Sequence, residues 1–310
     1  MPSALAQSDR GIGGTGAPIA QNNDWGIGGT GLYGTITGFG SIIVNGRHVT
    51  LPASTSVLID GQAGTLSGLQ LGQIAKITTT GTDRALQARR VEINRVLIGT
   101  VESTSFFGRR IVVLGHSVLL PSGAAMPLVG ERVAIDGLRR PDGVISANRI
   151  TLTTAALDQV VGVVSRNAAG ALAIGEIELI GAPRTVSPGA RIIVRGKRTQ
   201  AGIEVATVRA DPLWTSRAGA RRLSIESYVA RSAQGISLGD GVTLPANAAT
   251  IAGLAAIAGE YARVVVDIEV SGNGNWRAVT VSQSGAGTGG SGGGGSAGPG
   301  GGPPGGPGGG

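Results

Sequence analysis

Gly-Ile-Gly-Gly-Thr-Gly occurs twice, at Gly11–Gly16 and Gly26–Gly31. Its G-x-G-x-x-G spacing is that of a dinucleotide loop, where the glycines let a pyrophosphate approach the backbone between a strand and a helix. The first copy follows only MPSALAQSDR and leads into polar sequence, while the second runs directly into LYGTITGFG, a strand pattern. Neither has the required context, so both are read as a flexible lead-in. Acid/base and nucleophilic chemistry fare no better. The only two histidines, His48 and His116, each stand just after a turn glycine and are expected at exposed turn positions. Two imidazoles fall short of a metal-ligand set, and without a G-x-S-x-G elbow no serine triad is indicated. Glu176 and Glu178 share a face of GEIELI, which alternation makes the solvent face, so they are read as a solubilising pair rather than an acid/base pair. No catalytic residue, metal or cofactor is expected.

Binding chemistry is better represented. Basic pairs occur at Arg89–Arg90, Arg109–Arg110, Arg139–Arg140 and Arg221–Arg222, and RGKR brings together Arg195, Lys197 and Arg198. Single-stranded nucleic acid would use such a groove together with aromatic platforms. Aromatics are only 3% of the chain, so interleaving is thin, and Phe106-Phe107-Gly108-Arg109-Arg110 is the strongest local patch. The candidate binding residues are therefore Phe106, Phe107, Arg109, Arg110, Arg139, Arg140, Arg195, Lys197 and Arg198.

The elements that must position them follow from composition. The 310 residues include 56 glycines and only 3 phenylalanines, with many Val, Ile, Thr and Leu in short runs. This favours strands and tight turns around aliphatic cores. The net charge is +7, nearly all from arginine, since Lys76 and Lys197 are the only lysines. Cysteine is absent, which excludes disulfides and thiolate chemistry. No apolar run approaches the roughly 20 residues of a membrane-spanning helix. Ser3-Ala4-Leu5-Ala6 before Gln7 resembles the end of a secretory signal, with cleavage expected after Ala6.

A repeat then organises the chain. LQLGQIAKI, PLVGERVAI, VSPGARIIV and AIAGEYARVVV align on Gly72, Gly130, Gly189 and Gly259. Each is preceded by a strand such as GTIT, GTVE or GVVS and by a hairpin glycine, Gly46, Gly115, Gly175 or Gly239, and each is followed by a closing strand. In RVVVDIEV, Val264, Val266, Ile268 and Val270 share one face and Arg263, Asp267 and Glu269 the other. About five short strands in roughly 60 residues is the rhythm of a small barrel of the oligonucleotide/oligosaccharide-binding (OB) type. The expected fold is all-β, a tandem array of small five-stranded OB-like barrels with disordered Gly-rich ends. Its boundaries are a signal remnant and lead-in at 1–30, β units at 31–97, 98–155, 156–214 and 215–283, and a Gly/Pro-rich tail at 284–310.

GIGGTG, GTITGFGSIIVNG from Gly34 to Gly46, and the later strands of the repeat resemble a bacterial family known as domain of unknown function 5666. The resemblance covers most of residues 11–283 and implies export and an array of small β-barrels, with no catalytic residues to carry over. The expected function is a non-catalytic binding or structural module of the cell envelope, periplasmic or extracellular, with an envelope protein or a polysaccharide as partner. The competing reading is a nucleic-acid-binding array that uses the Arg-rich loops.

Overall fold

Glycine turns between aliphatic runs let the chain build the same strand order four times. The computed structural model describes residues 30–81, 85–213, 222–232, 235–239, 241–255, 261–271 and 275–284. The first GIGGTG copy, the signal-like start, Trp214, Arg221, Gly259 and the Gly/Pro-rich tail beyond Ser284 lie outside the described residues.

Barrel 1 comprises β1 (Thr30–Gly38), β2 (Ile42–Val44), β3 (Arg47–Thr50), β4 (Ser56–Ile59), β5 (Gln62–Ala63), β6 (Ile74–Thr80) and β7 (Leu86–Ile93). Strand β1 pairs antiparallel with β2, β2 with β3, β6 with β7 and β1 with β6, while β3 lies parallel to β7. The closed order first-second-third-fifth-fourth-first, with third and fifth parallel, is the OB arrangement. Barrel 2 repeats it with β8 (Leu97–Ser105), β9 (Arg110–Val113), β10 (His116–Leu119), β11 (Arg132–Arg139) and β12 (Ile145–Leu152).

In barrel 3, β13 (Asp158–Val163) and β14 (Ser165–Arg166) are one first strand interrupted at Val164, followed by β15 (Leu172–Ile174), β16 (Ile177–Ile180), β17 (Arg191–Arg198) and β18 (Ile203–Ala210). Barrel 4 has β19 (Arg222–Ser232), β20 (Gly235–Leu238), β21 (Thr243–Leu244), the helix α1 (Ala248–Ala255), β22 (Ala262–Val270) and β23 (Trp276–Gln283). A single parallel bridge between Ala246 and Ala278 closes its third-to-fifth seam.

Local sequence explains the repetition. Asn45-Gly46 and Leu114-Gly115 all have positive φ, between 51° and 71°, and so form the two-residue turns whose twist suits a hairpin. The first of these turn side chains folds back over the first strand. A Cβ on Gly34 would collide with Asn45, one on Gly99 would lie 2.9 Å from Leu114, and one on Gly162 would lie 2.5 Å from Ile174. In barrels 1 to 3 a glycine within the first strand therefore makes room for the hairpin above it. A second shared device is a bulge in each fifth strand, which leaves Arg89, Asn148, Ala206 and Val279 outside the ladder.

The barrels are fused rather than strung. The leading half of a first strand pairs on one edge with the fourth strand, and another barrel supplies the other edge. Thr30–Tyr33 runs parallel to Arg222–Ile225, and Leu97–Ile98 runs antiparallel to Gln159–Val160. Barrels 2 and 3 share one continuous aliphatic core, and the core of barrel 4 takes in Tyr33, Ile74 and Leu138 from barrels 1 and 2.

First strands are consequently buried on both faces, and their polar side chains find partners across barrels. Glu226 accepts from the Thr35 amide at 2.8 Å and the Thr35 hydroxyl at 2.6 Å, and from Arg263 at 2.9 Å. The bulged Asn148 donates to the same hydroxyl at 2.9 Å. Burial opposes ionisation of Glu226, but Arg263 and the hydrogen bonds from Ser284 and Thr35 outweigh it and hold the carboxyl below its usual range.

Asp136 is the opposite case. It is 2% exposed and its Oδ1 has no hydrogen-bond partner. Burial pushes its carboxyl up to about 7, with Asp60 adding to the rise and Arg95 and Arg149 only partly offsetting it. Because the folded state prefers the protonated carboxyl, its contribution is complete below about pH 4 and is lost as pH rises through 7. In thermal unfolding, the protein should lose stability from pH 5 to pH 8 and Asp136→Asn should lose less of it. A variant with the same pH slope as the parent would contradict this assignment.

Candidate functional site

Charge and aromatic side chains separate in the folded chain. Phe106 and Phe107 sit on the turn between β8 and β9, 78% and 93% exposed, and Phe39 occupies the equivalent turn of barrel 1 at 49%. Every phenylalanine of the chain is thus on a first-to-second-strand tip, and none is in a core. In OB barrels this loop, with the one between strands four and five, is where ligands are taken.

Arg109 and Arg110 are at the base of the barrel 2 tip, and the structure uses them differently. Arg109 has φ 49°, an uncommon conformation for a side-chain-bearing residue. Its guanidinium donates to the carbonyl of Pro121 at 3.2 Å and to that of Ala124, which ties the tip to the connection before β11. Arg110 is exposed and reaches the Ser117 hydroxyl at 3.1 Å.

The other candidates lie elsewhere, and most have internal partners. Arg139 donates to the carbonyls of Gly143 and Val161 at 3.1 and 3.2 Å. Arg140 pairs with Asp142 at 2.8 Å and lies 4.7 Å above the Tyr261 ring of barrel 4. Arg195 donates to Gln159 at 2.8 Å and to the Asp60 carbonyl at 2.6 Å, where barrels 1 and 3 meet. Arg198 pairs with Glu102 of barrel 2 at 3.3 Å, whereas Lys197 is exposed on β17.

Sequence reasoning missed the junctions these residues complete. Asp60 pairs with Arg95 at 2.7 Å and accepts from Gln159 at 2.9 Å. Asp211 receives Lys76 of barrel 1 at 2.8 Å as well as Arg191. The one available signal was a polar pair running directly into an apolar strand, Asp-Gln-Val-Val-Gly at 158–162.

His116 corrects an expectation. His48 is exposed and contacts the Ser41 hydroxyl at 2.9 Å, but His116 is 3% exposed. His48 is the second residue after its turn and His116 the first, and one residue along a strand reverses the face. The ring fits between barrels 2 and 3 because Gly175 has no side chain there, and a Cβ would approach Cε1 to 2.5 Å. Burial, reinforced by Arg139, pushes its pKa down to about 3. Glu176 is exposed and Glu178 half-buried beside Asn167, 3.3 Å away.

A cavity of about 390 Å³ lies at the end of barrel 4, lined by Arg222, Glu269, Asn275, Trp276 and Arg277. Among the described residues no group of three His, Asp or Glu is placed to hold a metal, and no helix is long and apolar enough to cross a membrane.

Four fused units with the OB strand order, the first two of them closed five-stranded barrels that carry the exposed aromatic tips, define the class. The family model described as Domain of unknown function (DUF5666) matches residues 33–92, so the chain carries that domain as its first barrel. No curated protein matches the chain.

If Arg195 serves a junction rather than a ligand, Arg195→Ala should destabilise the protein by about 2 kcal/mol in denaturant unfolding, because it leaves the Gln159 side-chain oxygen and the Asp60 carbonyl without their charged donor. Lys197→Ala should change stability by less than about 0.5 kcal/mol. Equal, small effects would show that Arg195 is not structural.

Proposed function

We propose that the protein is a non-catalytic binding or structural module exported to the cell envelope, meeting an envelope protein or polysaccharide through the first-to-second-strand tips of barrels 1 and 2. The observation that carries this reading is the placement of Phe39, Phe106 and Phe107, all exposed on equivalent tips of barrels whose cores are aliphatic. Such side chains favour burial, and a tip that holds them in water is suited to contact. Export comes from the signal-like start and the family resemblance.

The nucleic-acid reading is weaker because five of its arginines, Arg109, Arg139, Arg140, Arg195 and Arg198, are held by carbonyl or carboxylate partners within the protein. Arg110 and Lys197 stay exposed and are its best remaining support.

The test is retention on a cell-envelope fraction. The parent should be retained, and a Phe39→Ser, Phe106→Ser, Phe107→Ser variant should be retained about tenfold less at an unchanged melting temperature. Equal retention of the two would remove the tips from the function. Binding to single-stranded oligonucleotides that falls steeply with salt would favour the alternative.

A further inference from the structure

The large exposed apolar side chains of barrels 1 and 2 gather at one end of each barrel. In barrel 2 the register fixes this. Ser105 pairs with Arg110 beneath the tip, Arg132 at the start of β11 pairs with Thr100 of β8, and Leu152 at the end of β12 pairs with Val133. Phe106, Phe107, Leu128, Val129 and Leu152 therefore share that end, each at least 60% exposed. A shallow apolar groove between Ala124–Leu128 and Ile150–Leu152 continues the same surface. Barrel 1 repeats the pattern on a smaller scale. Phe39 is on the tip, and Leu71, 53% exposed, precedes β6 where Val129 precedes β11.

The projecting tip is a fixed shape. The Arg109 amide donates to the Phe106 carbonyl at 3.2 Å, the Ser105 hydroxyl donates to the Phe107 carbonyl at 3.1 Å, and the Arg109 guanidinium anchors the turn from behind. The rim carries both signs. Arg109 and Arg110 have no carboxylate partner among the described residues, Glu131 accepts from the Leu128 amide at 2.8 Å and keeps its charge, and Glu102 is paired with Arg198.

We propose that this end of barrel 2, assisted by the matching end of barrel 1, docks on an anionic lipid bilayer surface, with Phe106 and Phe107 entering the boundary between headgroups and acyl chains. The inference rests on the envelope reading for its biological setting. Two adjacent phenylalanines exposed on a projecting turn, with no facing wall among the described residues, suit a bilayer, which accepts a projecting apolar point. Arg110 then lies at headgroup level, where negative charge is concentrated, and the net charge of +7 acts in the same sense.

The experiment is co-sedimentation of the full chain with protein-free vesicles of phosphatidylcholine containing phosphatidylglycerol. The parent should sediment, Phe106→Ser/Phe107→Ser should lower the partition coefficient by about tenfold, and Arg110→Gln should weaken binding at low salt more than at high salt. These positions are exposed, so circular dichroism and melting should be unchanged. A parent that stays in solution, or a double variant that binds as well as the parent, would overturn the proposal. Retention on envelope fractions without vesicle binding would also overturn it, pointing to a protein or glycan partner and leaving the envelope reading intact. Vesicle binding by a protein found in the cytoplasm would sink the envelope reading instead.

Discussion

The leading half of each first strand has one edge that its own barrel does not pair, and the whole architecture follows from covering that edge. Exposed, it would present a row of backbone donors and acceptors to any other strand. Here the edges are paired two by two, β1 with β19 and β8 with β13, so barrels 1 and 4 form one continuous sheet system and barrels 2 and 3 the other. Sequence order thus differs from spatial pairing. The first barrel reaches over the middle two to the fourth.

Covering the edges buries both faces of the first strands, which determines the chemistry of the junctions. Polar residues there cannot reach water, and each needs a partner from another barrel. Glu226 obtains Thr35 and Arg263, Gln159 obtains Asp60 and Arg195, and Asp211 obtains Lys76 and Arg191. A buried ion pair adds little net stability over a well-packed apolar substitute, but losing one partner leaves an uncompensated charge. Such junctions select one mutual arrangement of four similar barrels. The scheme is incomplete at several buried atoms among the described residues, including Asp136 Oδ1 and His116 Nε2.

Much of the fold was legible in the sequence because turns and alternation are local. Asn45-Gly46 and the apolar face Val264, Val266 and Ile268 imply a hairpin and a half-buried strand without tertiary information. The tip Phe106-Phe107 was legible for the same reason, since a turn next to a basic pair has no core to fill. The junction residues were not legible. In a doubly buried strand the two-residue period vanishes, so Glu226 and Gln159 look solvent-facing until another barrel is placed over them. Arg139 and Arg195 looked like groove residues on the same grounds. For His116 a single residue of register separated exposed from buried, and only the packing of Gly175 against the ring fixes the answer.

Among the described residues, Arg139, Arg140 and Arg195 are bound at the junctions, and the large exposed apolar side chains lie at the ends of barrels 1 and 2. The pairing of first-strand edges makes that surface rigid, because the tips are continuous with strands that cannot move independently. Native-state hydrogen exchange tests this most directly. The account predicts that amides of Thr30–Tyr33, Leu97–Ile98, Gln159–Val160 and Leu223–Ile225 that bond across the barrel boundary exchange as slowly as the barrel interiors, through global unfolding. Fast exchange at these segments, with the rest of each barrel still protected, would mean that the barrels fold as separate units and would contradict it.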